Sequence, residues 1–504
     1  MSVSSDATSE AGASAGRDYQ NRDGKKTVQE YIDETPVWSD GTAVSSAPMT
    51  AMQWRIWTLA TAGKFFEGLV VFMTGVALPL IVKEFGLGAM EKGAVGAAPL
   101  FGILIGATAL GGLSDRVGRK RMFIVEMILF AISLLLLVFS PNYPWLLVFL
   151  FIMGAALGCD YPTAHMVISE SIPSIARGKL VLSAFGFQAV GALVGTGVGY
   201  LILYENPDIG AWRWMYATGI LPAILVVFAR HFIPDSGHWL VSRGRIDEAE
   251  REMERLLARR PPYPQRVKLA VPSSDGRSAG GFGLLFSRRY IWATIFASVP
   301  WFLQDLGTYG IGIFTPTILA TVLGAQTTHV HNIASLIHND MLAAKGAALI
   351  DGLLLVGIVC AVLLVDKAGR IRLQIIGFIG CAAGLFLASL SLGAEGGTKM
   401  FFIFAGFMLF SFMTNLGPNA MTYLIAGEVF PTHIRGKGAG FAASLAKVGA
   451  VLTAFLFPLL LRSIGPEALL YGLVGTSLLG AVVTWVFRIE TTGINLEKTV
   501  VGNR

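Results

Sequence analysis

Long apolar runs separated by short polar loops dominate the chain. A helix needs roughly 20 apolar residues to cross a bilayer. Runs of that length lie near 55–82, 93–113, 122–140, 144–168, 180–203 and 212–232, and again near 290–323, 344–365, 371–393, 400–426, 438–461 and 467–488. Between the two groups stands a polar stretch from about 233 to 288. The pattern predicts an all-α integral membrane protein of twelve transmembrane helices in two six-helix bundles. The expected organisation is a disordered cytoplasmic amino-terminal tail (1–50), a first bundle (51–232), a cytoplasmic central loop (233–288), a second bundle (289–489) and a cytoplasmic carboxy-terminal tail (490–504). The first 50 or so residues are polar and rich in Ser, Ala and Gly, with no apolar core for a signal peptide. Within them the segment Val28 to Trp38 is a candidate for local docking.

Charge refines the topology. Of the 504 residues only 14% are charged and 54% are hydrophobic, with a mean hydropathy of +0.62. A soluble chain carries nearer a quarter charged residues. The net charge of +6 raises the question of nucleic acid, but the basic residues sit in short loops, where they set orientation. Arg116, Arg119, Lys120 and Arg121 follow the second run, Arg177 and Lys179 the fourth, Lys367, Arg370 and Arg372 the eighth, and Arg435 and Lys437 the tenth. Both termini and the central loop are thus expected in the cytoplasm of a multi-pass protein of the cell membrane. Cys159, Cys360 and Cys381 lie inside apolar runs without metal-ligand spacing. His329, His331 and His338 are irregularly spaced in an expected external loop. Neither a metal nor another cofactor is expected. The absence of a Gly-x-x-x-x-Gly-Lys-Ser/Thr loop argues against ATP-driven pumping and enzymatic activity.

Two patterns recur in the two halves. Glu170-x-x-Pro173-x-x-x-Arg177-Gly178 returns as Glu428-x-x-Pro431-x-x-x-Arg435-Gly436, an offset of 428 − 170 = 258. Asp115-x-x-Gly118-Arg119 returns as Asp366-x-x-Gly369-Arg370. A duplicated six-helix unit explains both. Acids and bases at neighbouring helix ends can pair when one face closes and part when it opens. Asp115, Arg116, Gly118, Arg119, Glu170, Arg177, Asp366, Arg370, Glu428 and Arg435 are the expected gating set; the plainer alternative is that they terminate helices and fix topology.

Ionisable groups inside a span are costly and mark functional candidates. Here they are Lys64, Glu67, Asp160, His165, Asp305, Asp351 and Lys447. Asp160 is a candidate for proton coupling or for a structural pair. Trp301, Asp305 and Tyr309 share one helix stripe at i−4 and i+4. Asp305 would repel an anion unless protonated first, which suggests proton first and anion second. Gln188 and Asn419 can orient a solute or join helices. Lys447 can pair with an acid or counter a solute's charge, and Lys64 shares a face with Glu67.

The segment from Gly111 to Lys120 (GGLSDRVGRK) resembles the signature after the second helix of the major facilitator superfamily. Pro234 to Leu240 (PDSGHWL) is similar to the motif after the sixth helix of its sugar-porter branch, with His238 where arginine is usual. Glu490-Thr491-Thr492-Gly493 resembles the motif after the twelfth, with Ile489 in place of proline. Gly158-Cys159-Asp160-Tyr161-Pro162, Trp301 to Tyr309, and Asn415 to Asn419 look like the phosphate:proton symporter branch. That resemblance implies alternating access around a central site. It implies substrate contacts at Tyr161, Gln188, Trp301, Asp305, Tyr309 and Asn419, and proton carriers at Asp160 and Asp305. The branch usually has two acids in its first helix; here Glu67 stays as a proton-coupling candidate and Val70 holds the second place.

The expectation is a monomeric secondary transporter in the lipid bilayer, coupling protons to a small anion such as inorganic phosphate, with no nucleic-acid partner. A carboxylate or sugar importer is the alternative within transport, and a non-transporting nutrient sensor the alternative outside it.

Overall fold

The computed structural model describes residues 25–37, 48–110, 113–260, 264, 266–270, 282–324, 333–431 and 434–490. The first half holds six long helices: α1 (Ala51–Phe85), α2 (Ala89–Thr108), α3 (Arg119–Val138), α4 (Tyr143–Ser171), α5 (Ser174–Glu205) and α6 (Ala211–His231). The second holds α7 (Ile291–Gly324), α8 (Ile333–Ala368), α9 (Arg370–Ser389), α10 (Gly396–Glu428), α11 (Arg435–Ser463) and α12 (Gly465–Phe487). Among the described residues eleven of these are apolar enough to span a bilayer. The twelfth, α7, has 34 residues and carries the buried polar groups Gln304, Asp305, Thr308 and Tyr309.

Local chemistry sets the helix ends. Thr50 and Gln53 form a reciprocal capping box at the start of α1, and Gly86 closes it at φ 65°. Gln53 also donates to the Ser171 carbonyl at 2.8 Å, which ties the start of α1 to the end of α4. Gly417 and Pro418 break α10 in its middle. Large apolar side chains point outward around the bundle, among them Phe139, Leu221, Phe228 and Leu363, each at least 65% exposed. In water such a belt would be a liability; in a bilayer it faces lipid.

The halves meet along α1 with α7, α2 with α11, and α5 with α8 and the second part of α10. The face bearing the basic loops, here the basic face, is closed by Phe185 stacked on Tyr423 at 4.6 Å and by a Lys179–Asp366 ion pair at 2.9 Å. Towards the opposite face a Cβ on Gly75 would stand 2.3 Å from the Ile313 carbonyl, and one on Gly93 2.2 Å from that of Phe455. Only glycine lets these backbones touch. Both ends are closed around the middle, an occluded arrangement.

Two expectations change at the periphery. Residues 25–37 are not a disordered tail: Val28–Asp33 is a helix, with Val28, Tyr31 and Ile32 buried against Trp239, Leu240, Met253 and Leu269. The apolar face of this short helix completes a small core on the basic face that also includes the central-loop helices Gly237–Ser242 and Ile246–Leu257. His338 lies inside α8, which begins at Ile333, about three turns before its apolar run near 344, and not in a loop. His329 and His331 fall outside the described residues, as do residues 491–504.

Candidate functional site

The centre of the molecule is a network of charged side chains drawn from both halves. Glu67 of α1 is held by Lys64 one turn before it (Nζ to Oε2, 2.5 Å). Tyr309 of α7 donates to Glu67 Oε1 at 2.8 Å, and Gln188 of α5 donates to the same oxygen at 3.3 Å and to the Tyr309 hydroxyl at 3.1 Å. Lys447 of α11 donates to the Tyr309 hydroxyl at 2.6 Å and to Asp305 Oδ2 at 3.2 Å, and stands 3.6 Å from Glu67 Oε1. All six side chains are buried. As ions the two lysines and two acids sum to zero. Charges in a low-dielectric interior need such pairing, yet Lys447 can trade Asp305 for Glu67 without leaving the site.

An aromatic group lines one side. Tyr423 of α10 stacks on Phe185, meets Trp301 edge-on at 6.1 Å and meets His165 edge-on at 6.1 Å. The Lys64 ammonium lies 5.3 Å from the Phe185 ring centre, a cation–π contact. Asn419 stands apart from the charges: it donates to Asn415 at 2.6 Å, and Asn415 donates to the Leu354 carbonyl at 2.8 Å. That arrangement joins α10 to α8. The Tyr161 side chain lies outside the described residues.

Asp351 borders a separate small cleft with Phe72, Thr308, Thr315, Ser411 and Thr414. Its Oδ2 is buried without a hydrogen-bond partner. Gln304 donates to Thr308, which shares a hydrogen bond with Thr414, so a chain of hydroxyls runs along this wall.

Asp160 makes its ion pair away from the central network. It accepts from Arg230 of α6 at 2.7 Å. The same guanidinium donates to Glu126 of α3 at 3.2 Å, to the Phe123 carbonyl at 2.6 Å and to the Leu59 carbonyl at 3.2 Å. Arg230 and Glu126 have no exposed side-chain surface. Two carboxylates therefore share one buried guanidinium, a net charge of −1 when all are ionised. Arg230 and Glu126 were missed as site residues because each stands near the end of an apolar run, where charged groups ordinarily flank a span. Both interrupt otherwise apolar stretches, and that was the available signal.

The basic-face motifs pair within each half. Arg119 reaches Glu170 at 3.3 Å and Arg370 reaches Glu428 at 3.2 Å, matching the repeat. Glu170 also accepts a 2.5 Å bond from Ser236, and Arg370 contacts Asp366 at 3.4 Å. Gly118 takes φ 114°, which the turn between α2 and α3 requires. Arg177 donates to Gln29 at 2.9 Å, and Arg435 to the Phe430 carbonyl at 3.1 Å. Arg116 is exposed, and the Asp115 side chain lies outside the described residues. Burial holds the nearby His238 imidazole below its ordinary value, outweighing the pull of Glu170.

The comparisons decide the class. The model of the family described as sugar (and other) transporter matches residues 56–501. The chain belongs to that family. It is a multi-pass membrane transporter of the major facilitator superfamily. The chain is 28% identical over 450 residues to the inner membrane metabolite transport protein YgcS of Escherichia coli, covering 89% of this chain and 94% of that one. It is also 28% identical over 443 residues to a protein of Arabidopsis thaliana named "Probable inorganic phosphate transporter 1-6" (80% and 83%). Its fold matches the proton:xylose symporter XylE of E. coli with a TM-score of 0.71 at 22% identity, over 89% of this chain and 98% of XylE. Members of this group move small solutes across membranes, and the two matched halves place the charged network on the seam between them.

Proposed function

We propose that the chain is a proton-coupled symporter of a small anion, working by alternating access with its basic face towards the cytoplasm. The observation that carries this reading is Lys447, a cation of the second half lying between Asp305 and Glu67, acids of the two halves. Protonation of Asp305 releases Lys447 to an anion. Lys64 supplies a second cation, and Gln188 and Tyr309 supply neutral hydrogen bonds that orient the solute. Trp301 and Tyr423 form its apolar wall. As the halves rock, loss of the proton to the cytoplasm returns Lys447 to Asp305 and expels the anion. The Asp160–Arg230–Glu126 cluster offers a second place for a proton, away from the solute. The crossing pair Lys179–Asp366 biases the rocking without locking it, since an exposed pair contributes about 0–1 kcal/mol.

Inorganic phosphate is the first anion to test, in keeping with the plant relative's name. A neutral hydroxylated solute is the second reading, favoured by the family's description and by the hydroxyl-lined cleft beside α7. The test is uptake by the purified protein in liposomes under an inward proton gradient, with labelled phosphate, carboxylates and sugars compared. Gradient-driven accumulation of an anion supports the proposal. Accumulation of sugars alone refutes the anion, and uptake indifferent to the gradient refutes the coupling.

A further inference from the structure

The amino-terminal helix grips the start of α5. Pro173 precedes α5 and supplies no side-chain cap. Asp33 supplies one from elsewhere in the sequence: Oδ1 accepts the Ser174 backbone N–H at 2.7 Å and Oδ2 accepts the Ser174 hydroxyl at 2.8 Å. A carboxylate at that position satisfies an otherwise unpaired donor and complements the helix dipole. One turn earlier Gln29 donates to the Ser174 hydroxyl at 3.1 Å and accepts from Arg177 at 2.9 Å. The helix is itself anchored. Lys26 pairs backbone-to-backbone with Lys268 and Ala270, the Tyr31 hydroxyl accepts from the Lys268 N–H at 3.0 Å, and Ile32 is fully buried. Two residues beyond Arg177, Lys179 crosses to Asp366 of the other half. In the repeat, Arg435 of α11 turns instead to its own Phe430 carbonyl.

We infer that Asp33 and Gln29 are positioning residues of the basic-face gate. They fix the first turn of α5 so that Lys179 meets Asp366, and the amino-terminal segment thereby favours closure of that face. The inference rests on the two-half rocking proposed above. It gives the first half a control of its own: loosening the segment opens the gate without touching the transport path.

The test places spin labels at Gly178 and Gly436, repeat-equivalent positions where an added Cβ meets nothing within 4 Å. The full-length protein is used with Cys360 replaced by alanine; Cys159 and Cys381 are buried. Asp33→Ala and Gln29→Ala are each expected to raise the long-distance, open population by about two- to fivefold, the effect of losing one exposed ion pair. Asp33→Asn, which keeps an acceptor for Ser174, is expected to stay close to the parent. Lys179→Ala removes the crossing pair directly. A shift with Lys179→Ala and none with Asp33→Ala or Gln29→Ala overturns the positioning role and leaves the gate standing. No shift in any of the three overturns both. A loss of thermal stability in Asp33→Ala with an unchanged distance distribution assigns Asp33 a structural role only and overturns the inference.

Discussion

Lys447 Nζ lies 3.2 Å from Asp305 on its own side of the seam and 3.6 Å from Glu67 on the other. One cation thus holds an acid from each half. Lys447→Ala strands Asp305 without its ammonium partner, and breaking a buried pair costs roughly 3–5 kcal/mol. Gradient-driven uptake in liposomes is expected to fall more than about 100-fold. Lys447→Arg keeps the charge but changes its geometry and is expected to recover only part of the rate. Wild-type uptake by Lys447→Ala would remove this lysine from the transport path.

Arg230 poses a separable question of stability. Arg230→Met leaves Asp160 and Glu126 buried without their cation, at a cost of about 3–5 kcal/mol. The detergent-solubilised variant is expected to melt well below the parent. Adding Asp160→Asn and Glu126→Gln removes the stranded charges and is expected to restore much of the loss. A single variant as stable as the parent would mean that the guanidinium does not compensate these acids.

His238 gives a pH signature. Its imidazole is held neutral by burial, beside Glu170, Arg177 and Arg119. The unfolded chain takes up a proton as pH falls below about 6.5, whereas the folded one resists. Stability from this residue is therefore present above that pH and is lost as pH falls towards the lower folded value. Thermal midpoints between pH 7.5 and 5.5 are expected to fall less steeply in His238→Gln than in the parent. Identical slopes would contradict the assignment.

Gly93 tests the opposite face. A Cβ there would press within 2.2 Å of the Phe455 carbonyl, so Gly93→Ala must push α2 from α11. Spin labels at the exposed positions Met90 and Glu467 are expected to report a wider opening of that face, with slower uptake. An unchanged distance would show that the helices shift without cost.

The fold was legible because span length and loop charge are strong signals that lipid imposes on sequence. The repeat also led to two matching contacts, Arg119–Glu170 and Arg370–Glu428. Within the site, period and family resemblance singled out Glu67, Gln188, Asp305, Tyr309 and Lys447, which the fold gathers. Sequence distance hid who pairs with whom. Asp160 stood out as a candidate for proton coupling or a structural pair, but its partner Arg230 lies 70 positions away at a helix end. Asn419 sits one turn from Asn415 and spends its amide there. The amino-terminal segment was legible as a docking candidate, but its helix was not, since only three apolar residues on one short face carry the docking.

The central claim is that a proton and a solute cross together through the Asp305–Lys447 site. It is tested most directly by recording internal pH with a trapped dye as phosphate is added outside protein-containing liposomes that start with no proton gradient. Acidification that follows phosphate addition, and that disappears in Asp305→Asn while phosphate exchange persists, is the predicted result. Phosphate entry with no change in internal pH, or the same acidification in Asp305→Asn, would contradict it.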